Sequence, residues 1–321
     1  MISMRNILVF LLLLLAPGVA GAAQTAQDLL AEGRVDDAIT SLQSRISEAP
    51  KDAESYNLLC RAYFALQTWD RGIDACQKAV SLAPDNGRYH LWLGRIYGEK
   101  ADRCNFLCAA SLAGKVRNEF ETAVRLDPQS ADARTDLAEF YLEAPGIVGG
   151  GRDKAAAQAE TLDKLDPAKA HWVRGRIAEK KKDPATAERE YRAAIEASQG
   201  GANAWLNLAL FYRHVGRLDD MEEALRHASS ARMDQPEVLV DAAETLIRAG
   251  RNFPGAIDLL RRYLSSSSTV EQAPAFKAHY LLGTLLEKQG DKQAAAQEYR
   301  AALSMAKGFS QAQDALNRLN R

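Results

Sequence analysis

Strand-like alternation is missing from this chain of 321 residues, and aromatic residues are scarce at 7%. No stretch alternates apolar and polar residues in the period of two that a half-buried strand requires, which disfavours a sheet-based fold. Alanine, leucine, arginine, glutamate and lysine dominate instead, and these residues favour helices. The composition therefore predicts an all-α protein.

A charge of one sign is also missing. The formal net charge is −1, although 26% of the residues are charged. Such a balance provides no bulk attraction for nucleic acid or for an acidic membrane surface. Electrostatic recognition is therefore expected from local patches, and no nucleic-acid partner is predicted.

No apolar run reaches the ~20 residues of a membrane-spanning helix. The longest, Ile7–Ala16, follows Arg5 and precedes the small residues Ala20-Gly21-Ala22, the order found in a cleavable signal peptide. We predict a signal peptide at residues 1–23 and a mature chain without a membrane span, periplasmic or secreted. The alternative is an uncleaved N-terminal segment that anchors the protein.

One motif recurs along the chain, and its clearest copy runs from Tyr56 to Pro84. Large residues on a first predicted helix (Tyr56, Leu59, Tyr63) precede small ones on a second (Gly72, Cys76, Ala79), and Pro50 and Pro84 bracket the copy 34 residues apart. Small residues let the helices approach closely, and the closing proline ends the second helix. The pattern is similar to W-x2-L-G-x2-Y-x8-A-x3-F-x2-A-x4-P, so the chain resembles a tetratricopeptide repeat (TPR) protein.

Related copies follow in the same phase. They begin near His90, Leu137, His171, Trp205, Leu239 and His279, and a degenerate copy, Ala26 to Pro50, precedes them. Gln311–Leu319 forms one more amphipathic segment, placed to cap the array. The resemblance implies a right-handed α-solenoid of about eight helical hairpins with a C-terminal capping helix.

Two copies are longer than the repeat template. The surplus residues lie at 98–115 and 144–153, and the second segment is a loop rich in glycine. A further break, Gln199-Gly200-Gly201, marks the weakest joint. We therefore predict an N-terminal array over residues 24–199, which carries both insertions, and a C-terminal array with the capping helix over residues 202–321.

TPR proteins mostly bind proteins or peptides, and their first helices line a concave groove. Arginines that recur beside aromatic or aliphatic residues suit a carboxylate next to an apolar side chain. The alternative is that these arginines are solvated charges or intrahelical partners of nearby glutamates. The residues expected to line the groove are Asn57, Arg61, Phe64, Arg88, Leu91, Arg95, Trp172, Arg176, Leu210 and Arg213.

The four cysteines fall in the second and third copies. Cys60 and Cys76 occupy positions that face each other across a TPR hairpin, where they form either a disulfide or two small buried packing residues. Cys104 and Cys108 stand one helical turn apart, a spacing that suits neither a C-x2-C redox motif nor haem attachment. A local disulfide or two buried thiols are the interpretations kept for this pair.

No catalytic constellation is present in the sequence. Three of the histidines, His90, His171 and His279, take the first anchor position of a copy, which indicates a packing role, and no zinc motif surrounds His214 or His227. We predict a non-catalytic protein-binding scaffold without metal or cofactor. Two alternatives remain: a structural subunit of an envelope assembly that uses its convex face and insertions, and a redox factor that uses Cys104 and Cys108.

Overall fold

The computed structural model describes residues 24–231, 235–266 and 269–319, so the predicted signal peptide lies outside the described residues. Within these ranges the chain forms seventeen α-helices and a 3₁₀ turn at Gly146–Val148, and the only β-type pairing is one bridge between Val270 and Ala273. The helices are α1 Ala26–Ala31, α2 Val35–Glu48, α3 Ala53–Ala65, α4 Trp69–Leu82, α5 Gly87–Arg103, α6 Phe106–Leu126, α7 Ala131–Glu143, α8 Arg152–Leu165, α9 Pro167–Lys180, α10 Pro184–Ala197, α11 Ala202–His214, α12 Leu218–Ser230, α13 Glu237–Ala249, α14 Phe253–Ser265, α15 Ala275–Lys288, α16 Lys292–Met305 and α17 Ser310–Leu319.

Consecutive helices pair as hairpins, from α1 with α2 to α15 with α16, and α17 packs against the last pair. The predicted all-α solenoid of about eight hairpins with a capping helix is thereby confirmed. None of the helices in the described ranges combines the length and the hydropathy that crossing a bilayer would require.

Side-chain caps define where many of the helices begin. Asp52, Asp183 and Asp291 each accept a hydrogen bond from the backbone N–H three residues further on. Such caps satisfy amide groups that the first helical turn leaves without a partner. The caps and the prolines in the first turns of α9 and α10 explain why the hairpins start at regular intervals.

The two helices of a hairpin approach closely because a glycine on the first faces a ring on the second. A Cβ atom placed on Gly94 would lie 2.5 Å from the ring of Phe120, and Gly283 meets Tyr299 in the same way. Tyr299 is fully buried. The expected packing of small against large residues is present, but in these two hairpins the small residue lies on the first helix and the ring on the second, the reverse of the order in the Tyr56–Pro84 copy.

The anchor histidines pair with glutamates across their own hairpins. The Nδ1 atoms of His90, His171 and His279 lie 2.6, 2.9 and 2.6 Å from carboxylate oxygens of Glu119, Glu190 and Glu298. The hydrogen bond to Glu119 raises the pKa of His90 despite partial burial. These contacts give the three histidines a structural role, as their recurring position indicated.

The first insertion lengthens a hairpin and forms no separate loop. Helices α5 and α6 have 17 and 21 residues, whereas α3 and α4 have 13 and 14. Phe106 and Leu107, the first two residues of α6, have exposed fractions of 82% and 78%. The insertion therefore projects an apolar tip beyond the neighbouring hairpins.

The second insertion is a folded glycine loop. The backbone N–H of Gly149, Gly150 and Gly151 donates to the carbonyls of Gly146, Pro145 and Tyr141. A Cβ atom on Gly150 would collide with the carbonyl of Ala144, which explains why glycine is needed there. Since these three amides already have partners, the loop acts as a connector, and it displays Ile147 at 96% exposure.

The two ends of the array meet. Helix α2 contacts α16, and a carboxylate oxygen of Asp36 accepts a hydrogen bond from the backbone N–H of Lys307 at 2.8 Å. Gly33 lies so close to Ala275 that a Cβ atom would come within 2.7 Å of its backbone nitrogen. We call this junction, where α2 and α3 meet the segment from Glu271 to α17, the seam.

Candidate functional site

A cavity of about 450 Å³ lies at the seam. Its volume falls within the range of about 300–1,000 Å³ that is typical of binding pockets. We call it the seam pocket. Residues from α3, α4 and α5 form one wall, and residues from the start of α15, from the turn before it and from the turn before α17 form the other. Its aromatic lining consists of Phe64, Trp69, Trp92, Phe276 and Phe309.

Three of these rings form a connected cluster. The ring of Phe64 meets Trp69 and Trp92 edge to face, with centroid distances of 5.7 and 5.6 Å. The guanidinium carbons of Arg61 and Arg95 lie 5.2 and 5.1 Å from the centroid of Trp92. Arginine over an aromatic face is held by a cation–π attraction, so the cluster has a fixed shape.

Cations outnumber carboxylates in the lining of the seam pocket. Four cations (Arg61, Arg95, Arg103 and Lys277) and two carboxylates (Glu99 and Glu271) line it. Each cation has an internal partner. The pairs are Arg61 with Glu271, Arg95 with Asp136 at 2.6 Å, Arg103 with Glu99, and Lys277 with Glu244 at 3.1 Å.

A second cavity, of about 740 Å³, adjoins the seam pocket and shares Phe64, Arg95 and Glu99 with it. It is acidic, because two arginines and five carboxylates line it. Burial is the main cause that raises the pKa values of Asp136 and Glu139, and it outweighs the nearby arginines. The polarity of the groove thus changes from basic and aromatic at the seam to acidic further along.

The structure brings only part of the predicted groove set together. Phe64, Arg61 and Arg95 line the seam pocket. Arg176 lies in the acidic cavity, where it contacts Glu139 at 3.0 Å and Glu143 at 2.7 Å. Both partners lie on α7, whereas the alternative interpretation expected glutamates of the same helix; Glu179 on α9 is farther from Arg176, at 3.8 Å.

The other predicted residues lie elsewhere. Trp172 lines a separate cavity of about 360 Å³. Leu210 and Arg213 line a small cavity in the C-terminal half. Arg88 is half exposed and pairs with Glu54 at 2.5 Å. The predicted set therefore spreads over several surfaces.

Two predicted groove residues are inaccessible. Asn57 is 0% exposed, and both polar atoms of its amide group lack a hydrogen-bond partner; Leu91 is 7% exposed. The expectation that these side chains face an open groove is wrong. Repeat position placed both residues on first helices, but it did not predict their burial.

The sequence pattern did not identify several residues that line the seam pocket. Trp69 begins a second helix, a position that the groove rule does not consider, and Trp92 stands between two buried leucines. Phe276, Phe309 and Glu271 reach the pocket from the opposite end of the chain. Only the contact between the two ends reveals them, so no local signal in the sequence identifies them.

The cysteines lie in two close pairs. The Cα atoms of Cys60 and Cys76 are 5.2 Å apart, and those of Cys104 and Cys108 are 5.9 Å apart. Both distances fall within the usual range for disulfides. The structure therefore brings together the same partners that the sequence suggested.

Family models give the class of protein. Models described as tetratricopeptide repeats match residues 29–96 and residues 148–202, 174–236 and 240–318. The second set of matches covers more than half of the chain. The chain therefore belongs to the tetratricopeptide repeat family, whose members are in general scaffolds for protein–protein contacts.

Solved structures agree on the fold. Yeast Tom70 superposes with a TM-score of 0.54 at 15% identity, over 89% of this chain and 58% of that chain. A thermophilic TPR protein from Thermus thermophilus gives 0.45 at 19% identity, over 61% of this chain and 99% of that one. The chain thus spans 58% of the length of the Tom70 structure, and at such identity the likeness concerns the fold alone. A search of curated proteins finds no significant match.

Proposed function

We propose that this protein is a non-catalytic scaffold that binds a segment of a partner protein in its concave groove, with the seam pocket as the main contact. The observation that carries the proposal is the cluster of Phe64, Trp69 and Trp92 surrounded by four cations. Aromatic and arginine side chains in a partly desolvated pocket are typical of the residues that dominate protein interfaces.

The chemistry of the groove specifies the partner segment. The seam pocket suits an apolar side chain with a carboxylate beside it, because five aromatic rings line it and cations exceed carboxylates in its lining. The adjoining acidic cavity suits a basic side chain further along the same segment. We infer an extended segment with an acidic and a basic part.

We also propose that the chain acts in the periplasm or after secretion, with residues 1–23 removed as a signal peptide. An oxidising compartment would allow Cys60–Cys76 and Cys104–Cys108 to form disulfides. The close approach of both pairs supports this proposal. The intact mass of the natively purified protein tests this proposal, because it reports both the loss of residues 1–23 and the oxidation of the four thiols.

A peptide-display selection against the folded protein tests the groove. We expect enriched peptides to combine Asp or Glu with a neighbouring aromatic or aliphatic residue. The test variant is Arg103→Glu, because Arg103 lies at the rim with 47% of its side chain exposed and stacks on Trp69. Reversing this charge is expected to weaken the selected peptides about tenfold, or ~1.4 kcal/mol, by fluorescence anisotropy. Arg103 pairs with Glu99 one turn earlier on its own helix, so the reversal disturbs one largely exposed pair. Arg95 and Arg176 are poorer choices, because their side chains are only 29% and 21% exposed and pair with carboxylates of a neighbouring helix.

Two matched variants control the experiment. Arg189→Glu changes a side chain on α10 that is 69% exposed, and it should leave affinity unchanged. Phe106→Ser with Leu107→Ser removes the apolar tip of the first insertion. If the selected peptides depend on this tip and not on Arg103, the insertion is the interaction surface, and the alternative of an assembly subunit replaces the groove proposal.

A further inference from the structure

Glu271 belongs to a turn that is built to present it. The turn spans residues 270–273 and precedes α15, and its ends are held by the bridge between Val270 and Ala273. The hydroxyl of Tyr263, which is fully buried, donates to the carbonyl of Ala273 and accepts from the N–H of Val270 at 3.0 Å. Glu271 therefore projects from an ordered segment.

Both carboxylate oxygens of Glu271 accept hydrogen bonds from the Arg61 guanidinium. Arg61 Nε donates to one oxygen at 2.8 Å, and Nη2 donates to the other. The two side chains are only 10% and 11% exposed. A bidentate arginine–carboxylate pair of this kind is the contact that an acidic side chain of a partner would make in the seam pocket.

The position of this pair in the chain distinguishes it from the other ion pairs of the pocket. Arg103 pairs with Glu99 on its own helix, and Arg95 pairs with Asp136 on α7, a helix of the next hairpin. Glu271 stands 210 positions from Arg61 and reaches it across the seam. A ligand that displaced Glu271 would therefore free a pocket arginine and remove a contact between the two ends.

We propose that Glu271 is a built-in competitor of the seam pocket: it fills the place of a partner carboxylate and holds the seam closed until an acidic segment displaces it. This inference rests on the proposed function of the pocket. Because Glu271 belongs to the same folded chain as Arg61, it competes with a partner carboxylate as an intramolecular ligand. Partners of weak affinity are thereby excluded, and binding is coupled to opening of the seam.

The test uses the chain's own turn as the probe, a synthetic peptide of residues 269–276 with blocked ends, in which Glu271 supplies the only carboxylate. Binding to the full chain is followed by tryptophan fluorescence, because Trp69 and Trp92 line the pocket. We expect the variant Glu271→Gln to bind this peptide at least about tenfold more tightly than the natural chain. The double variant Arg61→Gln with Glu271→Gln should lose this gain, as should a peptide with glutamine in place of the glutamate.

Hydrogen exchange of the protein without peptide gives the second readout. Glu271→Gln is expected to speed amide exchange in α2 and α16, which meet at the seam. Glu298→Gln is the matched control, since Glu298 pairs with His279 within one hairpin. Equal peptide affinity of the natural chain and Glu271→Gln, or unchanged exchange at the seam, would overturn the proposal. The outcome is separable from the groove proposal, which depends on the display peptides and Arg103.

Discussion

The carboxyl group of Asp241 shows how a single residue makes the stability of the fold depend on pH. Burial raises the pKa of its carboxyl group to about 6, the neighbouring Glu244 and Glu237 add to the shift, and Lys277 offsets part of it. In the unfolded chain the pKa is about 3.9. Between these two values the folded state binds more protons than the unfolded state, so the contribution of Asp241 to stability falls as the pH rises from about 4 to 6.

We therefore expect Asp241→Asn to stabilise the protein at pH 7 by about 1–3 kcal/mol, with little effect near pH 4. Thermal melting of both proteins across this pH range measures the difference. Asp258→Asn is the control, because the Asp258 side chain is 69% exposed. A constant difference between Asp241→Asn and the natural chain at every pH would contradict the raised pKa.

Other residues show the limit of local reasoning. The position of Asn57 in its repeat correctly predicted a residue of the first helix, yet its amide group is buried without a hydrogen-bond partner. Arg61, one turn later on α3, does reach the pocket. Both lie on the same helix, so their different exposure results from what packs over them and not from their own neighbours in sequence.

At the scale of the element, the helical hairpin is the unit that the sequence specifies. Glycine or alanine at one anchor and an aromatic ring at the other determine how closely the two helices approach. Helix α5 contains an internal comparison. A Cβ atom on Gly94 would lie 2.5 Å from the Phe120 ring, whereas one on Gly98 would have no heavy atom within 4 Å.

These two glycines are expected to respond in opposite ways. Gly94→Ala should destabilise the protein by about 1–3 kcal/mol, because overpacking forces the Phe120 ring to move. Gly98→Ala, one turn later, should stabilise it by up to about 1 kcal/mol through helix propensity. Chemical denaturation midpoints of the two variants provide the measurement. Loss of stability in both would show that α5 is constrained in some other way.

At the scale of the whole molecule, the ends of the array are joined by polar and apolar contacts. The Asp36 carboxylate accepts a hydrogen bond from the backbone N–H of Lys307. The ring centroids of Phe276 and Phe309 lie 5.0 Å apart in the seam. Repeat proteins are stabilised mainly by contacts between neighbours. Contact between the ends adds a long-range contribution to stability, and the pocket therefore depends on residues at both ends of the chain.

The proposed compartment is also a property of the whole chain. We expect the natively purified protein to lack residues 1–23 and to weigh four hydrogen masses less than its reduced form, since two disulfides would remove four thiol protons. Intact mass spectrometry before and after reduction measures both. Cys76→Ser should halve the hydrogen deficit, and loss of the Cys60–Cys76 link should cost about 3 kcal/mol in the chain-entropy model.

Alkylation of all four thiols without prior reduction would contradict the disulfides. Retention of the leader would contradict cleavage and support the alternative of an N-terminal anchor. The boundary between an N-terminal and a C-terminal array near residues 199–202 stays a prediction. Across that joint α10 and α11 pack directly, and the rings of Tyr191 and Phe211 meet at 5.4 Å.

The sequence by itself determined the hairpins, their number, the cysteine pairs and the two insertions. These features depend on spacings within or between adjacent hairpins, which a periodic pattern records directly. The seam pocket was decided only by the tertiary structure. Small rotations between successive hairpins accumulate along the array, and their sum brings Glu271 and Phe309 to Arg61 and Phe64. The spacing of residues within one hairpin does not record this accumulated rotation. The seam pocket can therefore be recognised only in the tertiary structure, where the two ends meet.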